Sequence, residues 1–177
     1  MDFKNDSSRM LFLKYSLPCA DTLVERGTVS KKLIKDSIRS ISLNRKVSRH
    51  PEKIFKTAHA MCEKIARRAR KKSIDEIAVR RYFLFEHDKI VDSRYELFND
   101  FNPLQCRVFP GKILKIKNKE ALIKTIIGKK KYRTNFIQNL RIGDCVVVHR
   151  SFTVEKISES MLKKLWKLKE NYFKSNS

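Results

Sequence analysis

Apolar side chains recur with a helical period through the first hundred residues and with a period near two after them. Behind Ser30, Ile34, Ile38 and Ile41 fall on one face while Lys31, Lys32, Lys35 and Arg39 take the other, which predicts an amphipathic helix of about three turns. Pro51 stands where a first helical residue tolerates proline. Ile54, Ala58, Met61 and Ile65 then step by four, three and four, predicting a second helix. Ser73 with Glu76 has the spacing of a capping box and predicts a third, running into Tyr82, Phe83 and Phe85, although Val79 to Phe85 also fits a strand. Residues 1–9 are polar and read as frayed; Met10 to Leu17 fits either a strand or a short helical turn. The turn composition of Asn99-Asp100-Phe101-Asn102-Pro103 marks a boundary. Past it, short strands are expected at Gly111 to Ile116, Ala121 to Ile127, Tyr132 to Phe136 and Asp144 to His149, with turns at Lys117-Asn118-Lys119 and Gly128-Lys129-Lys130. Ser158 caps a last helix in which Met161, Leu165, Leu168 and Tyr172 share a face.

The expected fold is therefore α+β: a mainly helical, basic domain over residues 1–103, then a small antiparallel β-barrel of the OB type with a C-terminal helix over 104–177.

Two stretches of the second domain carry candidate chemistry. In Cys106-Arg107-Val108-Phe109-Pro110-Gly111-Lys112 a cysteine enters an apolar strand that Pro-Gly is expected to end at a sharp corner. Further on, Gly143-Asp144 feeds the β-branched strand Cys145 to Val148, which ends in His149 and is followed by Phe152 and Lys156-Ile157. One thiol and one imidazole, each at a strand end, form a ligand pair suited to iron, zinc or copper. The order and spacing of Cys106, Pro110, Gly111, Gly143, Asp144, Val146, Val148, His149, Phe152, Lys156 and Ile157 resemble the HypC/HupF family of hydrogenase maturation chaperones, over about residues 104–173. The resemblance implies a non-enzymatic, cytoplasmic carrier in which Cys106 and His149 hold iron, as a fragment bearing cyanide and carbon monoxide. It also implies a protein partner, another maturation factor or a hydrogenase large subunit. This chain departs from the pattern at one point: the family's cysteine follows the initiator methionine, whereas Cys106 lies in mid-chain with its α-amine in a peptide bond.

Charge adds a second reading. The chain carries 41 Lys and Arg against 19 Asp and Glu, a net +22, which attracts phosphate, anionic lipid or acidic protein. Residues 105–177 hold 18 of the cations and only 5 of the acids, so the second domain is the more basic. Lys129, Lys130, Lys131, Tyr132 and Arg133, with Phe136 beyond, mix cations and aromatics as single-strand binders do. Arg67, Arg68, Arg70, Lys71 and Lys72 stack positive charge at a helix end, where the dipole favours it whether or not phosphate binds there. RNA is accordingly the alternative target, on a barrel that has lost the iron role.

Other features narrow the field. Four cysteines without a CxxC pair fit a reduced compartment. His59 and Cys62 share a helix face but lack two further ligands, and Cys145 reads as core. Lys14 and Pro18 interrupt the apolar patch near the N-terminus, against a signal peptide, and no apolar run approaches membrane-spanning length. Four glycines leave little room for a nucleotide cradle, and no catalytic triad or carboxylate pair stands out.

Overall fold

The computed structural model describes residues 1–47, 50–95 and 103–175. The chain divides into two compact units, Met1–Cys106 and Arg107–Ser177. The turn expected at residues 99–103 lies, apart from Pro103, outside the described residues.

The first unit is helical. Helix α1 (Asp6–Ser16) begins where the Asn5 side chain accepts the Ser8 N–H, and it buries Leu11, Phe12, Leu13 and Tyr15. Residues ahead of it are held, not frayed. Phe3 bridges to Ile74, with Lys4 N–H donating to the Ile74 carbonyl at 2.8 Å and Ile74 N–H to that of Asp2 at 2.9 Å. The apolar Phe3 ring accounts for this, packing on Phe12 and His59. Helix α2 spans Asp21–Glu25, and α3 (Lys31–Ser42) is capped by Ser30 and buries Ile34, Ser37 and Ile41. Pro51–Ile54 makes a 3-10 turn, after which α4 (Lys56–Arg68) buries Cys62, Ile65 and Ala66. Helix α5 (Glu76–Arg81) starts at Asp75, whose carboxylate accepts the Ala78 N–H, two residues beyond the expected Ser73 cap. A wide π turn, Tyr82–Glu86, joins it to α6 (His87–Tyr95). That turn delivers Phe83 into the core, stacked on Tyr15 at 4.8 Å and edge-on to Phe12 at 6.0 Å. Each such buried ring contributes about 2–3 kcal/mol. A four-residue turn, α7 (Pro103–Cys106), ends the unit.

Among the described residues, all five strands lie between residues 108 and 157. β1 (Val108–Lys117) runs straight through Pro110-Gly111, so the expected corner is absent. Two local reasons explain this. At Pro110 the strand is flanked by β4 (Cys145–His149) alone, because pairing with β2 (Glu120–Thr125) starts at Gly111; proline is tolerated at such a half-paired position. Gly111 lets β2 approach closely, since a Cβ there would meet Ile123 Cγ2 at 2.6 Å and the Lys124 carbonyl at 2.9 Å.

β3 (Gly128–Arg133) begins where the sequence pattern indicates a turn. The loop is Ile126-Ile127 instead, and Gly128, at φ +111°, closes it as the first residue of the strand. β3 also stops at Arg133, short of the expected Phe136, and β5 (Phe152–Ile157) is a strand the periodicity does not reveal. The pairing order is β1-β2-β3-β5-β4, and the ring closes through one parallel pair, Arg133 with Phe152. The result is a curled five-stranded sheet with a single narrow seam. Its core gathers Phe109, Ile113, Ala121, Ile123, Tyr132, Val146 and Val148.

A register shift between Ile113 and Lys115 makes Leu114 a bulge in β1. It keeps Ile116 opposite Ala121 on the core side and leaves Lys115 and Lys117 on the side of Lys112. Helix α8 (Glu159–Ser175) follows Ser158, which accepts the Met161 N–H, and packs on β1 and β4. Leu165 and Lys169 are its buried positions, whereas Leu168, expected on the inner face, is exposed.

Candidate functional site

His149 ends β4, paired with Val108 of β1 on one side and Phe152 of β5 on the other. Alternation along the strand places it with Cys145 and Val147, on the face opposite the core residues Val146 and Val148. All five residues of β4 are buried, His149 to 1% exposure. Two features hold this end of the sheet. Phe152 stacks on Phe136 at 4.7 Å, and the Arg133 guanidinium sits 5.4 Å from the centre of the Phe152 ring. At the start of β1 the buried Arg107 guanidinium lies 5.2 Å from the Tyr172 ring and 5.0 Å from the Phe173 ring, while Phe173 stacks on Phe109. Arg107 thus fastens α8 to the strand that follows Cys106. Its place between the cysteine and an apolar strand was the signal available for it in the sequence.

Cys106 closes α7 and is 7% exposed. Its sulfur lies 4.0 Å from Cys19 Sγ, so a second thiol stands beside the cysteine of the motif. The two are 87 positions apart, and no spacing rule links them. Both Cys106 and His149 are buried, and the strand that ends in His149 is paired on both edges. Among the described residues no three His, Cys, Asp or Glu side chains gather into a metal-holding group.

The remaining candidates separate. Lys129, Lys130, Lys131 and Arg133 are exposed along β3, but Tyr132 is 3% exposed inside the hydrophobic cluster, and burial raises the pKa of its phenol. Tyr132 is therefore not a base-stacking surface: it pairs with Ala121, on the inward side of the sheet. Phe136 is buried as well. In the helical cluster, Arg67 donates twice to Glu63 and Lys71 pairs with Asp75, while Arg68, Arg70 and Lys72 are exposed. Cys62 is fully buried, and burial first, then the Glu86 charge, push its thiol pKa far up; His59 packs edge-on to Phe3 and Phe12. That pair is packing. Cys145 is 8% exposed and its thiol is likewise raised by burial.

The turn before β4 carries the other half of the motif. Gly143 adopts φ +89°, the Asp144 carboxylate accepts the Arg141 N–H at 2.8 Å, and Lys156 of β5 reaches Asp144 at 2.7 Å. These bonds hold the Asp144 pKa below the usual carboxylate range, the Lys156 bond foremost. Gly143, Asp144 and Lys156 are thereby one structural unit at the base of the strand that ends in His149.

Residues 106–168 match the HupF/HypC family model. The HupF/HypC segment starts at Cys106 and takes in all five strands and the first half of α8. It contains every residue of both motifs, from Cys106 and Pro110-Gly111 to Lys156-Ile157. No curated protein matches the chain. Among the described residues no helix is long and apolar enough to cross a membrane.

Proposed function

We propose that this protein is a maturation chaperone of the HupF/HypC kind, a non-enzymatic cytoplasmic carrier that receives an iron fragment and passes it to a hydrogenase large subunit or another maturation factor. Its ring of strands is read as a small barrel of the OB type. The observation that carries the proposal is the register between β1 and β4: His149 is opposite Val108, and Cys106 precedes Val108 by two residues. Two residues span at most about 7 Å, which supports reading the thiol and the imidazole as neighbours at that end of the strand pair.

Cys106 and His149 would hold the cargo. A thiolate and an imidazole suit iron, and two protein ligands leave room for a fragment that brings its own cyanide and carbonyl groups. Because the α-amine of Cys106 is in a peptide bond, the protein's share is confined to the side chains. The neighbouring Cys19 thiol adds a soft donor beside Cys106. The burial of both ligands fits a cargo kept from water, and it requires local opening for loading.

The test is anaerobic co-expression with a hydrogenase maturation system, followed by iron analysis and infrared spectroscopy of the cyanide and carbonyl stretches. Wild-type protein is expected to carry iron with those bands, Cys106→Ala and His149→Gln to lose both, and Cys145→Ala to keep them. Iron-free wild-type protein, or iron retained by both ligand variants, would overturn the proposal.

A further inference from the structure

Three strands of the HupF/HypC segment share an outer face composed almost wholly of cations. In register, Lys112, Lys124 and Lys129 form one row across β1, β2 and β3; Lys115, Leu122 and Lys131 form the next; Lys117, Glu120 and Arg133 form the third. Residues paired across an antiparallel sheet project to the same side. The alternate positions, among them Ile113, Ile123, Ala121 and Tyr132, enter the core, so these nine point outward. All seven cations are exposed, and among the described residues no ion pair engages any of the six lysines. With strands about 4.8 Å apart and like-facing residues about 6.8 Å apart along each, the grid covers roughly 10 Å by 14 Å.

The arrangement works against folding, since like charges directly opposite each other destabilise a sheet. It also lacks what a protein interface uses: the sole apolar member is the half-buried Leu122, with no aromatic anchor. Apolar side chains that would enter a lipid surface are likewise missing from the grid. A lattice of lysines suits contacts to phosphate oxygens, which give affinity without sequence preference.

We propose that this face binds the phosphodiester backbone of a nucleic acid and does not read its bases. The lysine ammoniums donate to phosphate oxygens in successive rows, and the inward Tyr132 and Phe136 leave no platform for stacking. None of the seven cations belongs to the Cys106 and His149 pair, so the proposal stands or falls apart from the iron reading.

Fluorescence anisotropy with a labelled single-stranded RNA and with its duplex, titrated over a range of salt, tests it. Wild-type protein should bind both at physiological salt. In Lys112→Gln/Lys124→Gln/Lys129→Gln the log–log salt slope should fall by about two to three and affinity by about tenfold or more. Lys→Arg at the same three positions should keep binding, and circular dichroism should show all variants folded. The charge-matched control Lys31→Gln/Lys32→Gln/Lys35→Gln, on the exposed face of α3, should stay within about twofold of wild type, because it removes the same charge and leaves every row of the grid intact. Equal loss in both triple-Gln variants would overturn the proposal by reducing the effect to net charge. So would displacement of RNA by polyglutamate, or by phosphatidylserine vesicles, at matched charge; these outcomes would assign the face to an acidic protein or to a membrane.

Discussion

Glu52 shows how one residue of the helical unit manages a buried charge. Its carboxylate meets Arg9 Nη2 at 2.9 Å and His50 Nδ1 at 2.7 Å, and the residue is 6% exposed. Burial alone would raise its pKa, and the bonds from Arg9 and His50 outweigh that and hold it below the ordinary value. A carboxylate with a depressed folded pKa contributes stability that is complete above its unfolded pKa, about 4.3, and is lost as pH falls through the folded value. Replacing Arg9 by Met should reverse the sign, since an unpaired buried carboxylate is relieved by protonation. Arg9→Met is expected to cost about 2–3 kcal/mol at neutral pH, below the 3–5 kcal/mol typical of a broken buried pair because His50 remains. Its melting temperature should rise between pH 7 and pH 4, where the Glu52 contribution in wild type is still intact and is lost only at lower pH. Parallel pH profiles in the two proteins would refute this account.

At the scale of elements, the central row of the basic face sets stability against binding. Lys124 is flanked by Lys112 and Lys129, and Lys124→Glu converts two repulsive cross-strand contacts into attractive ones. At about 0.2–1 kcal/mol per pair, thermal denaturation at low salt should show a gain of a few degrees that shrinks as salt is added. The same variant should lose RNA affinity, so the destabilising row can be relieved only at a functional cost. A lower melting temperature for Lys124→Glu would sink this reading. The face was only partly legible in the sequence. The run Lys129 to Arg133 was visible, but Lys112, Lys115, Lys117 and Lys124 join it through register, which local periodicity does not encode. Tyr132 was misplaced for the same reason, since its inward phase depends on pairing with Ala121. The helices α3 and α4 and the Ser158 cap were legible because their signals are local. β5 was not, its alternation being broken by a register shift opposite Val147 and Val148. Cys19 beside Cys106 could be found by no local rule.

Across the whole molecule the positive charge is divided unevenly, and the more basic part is the one that carries the HupF/HypC motifs. A carrier with a buried ligand pair and a polyanion-binding face would have its cargo chemistry and its tethering governed by different variables, thiol state for one and ionic strength for the other. Both depend on the phase of β1, and there the Leu114 bulge has an unexpected corollary. Losing one residue inside a paired strand normally turns every following side chain to the wrong face. β1 already contains one residue more than its partner requires, and that residue is 37% exposed. Deleting Leu114 should therefore restore an unbroken ladder with Ile116 still inward and Lys115 and Lys117 still outward. The shortened protein is expected to fold and to bind RNA as wild type does. The added twist that a bulge supplies would be lost, and amide exchange at the Arg133 and Phe152 seam should be faster. Failure of the deletion variant to fold would mean that the curvature is indispensable to the sheet; success would make β1 a strand with a spare codon, tolerant of a deletion at the one position where its frame has slack.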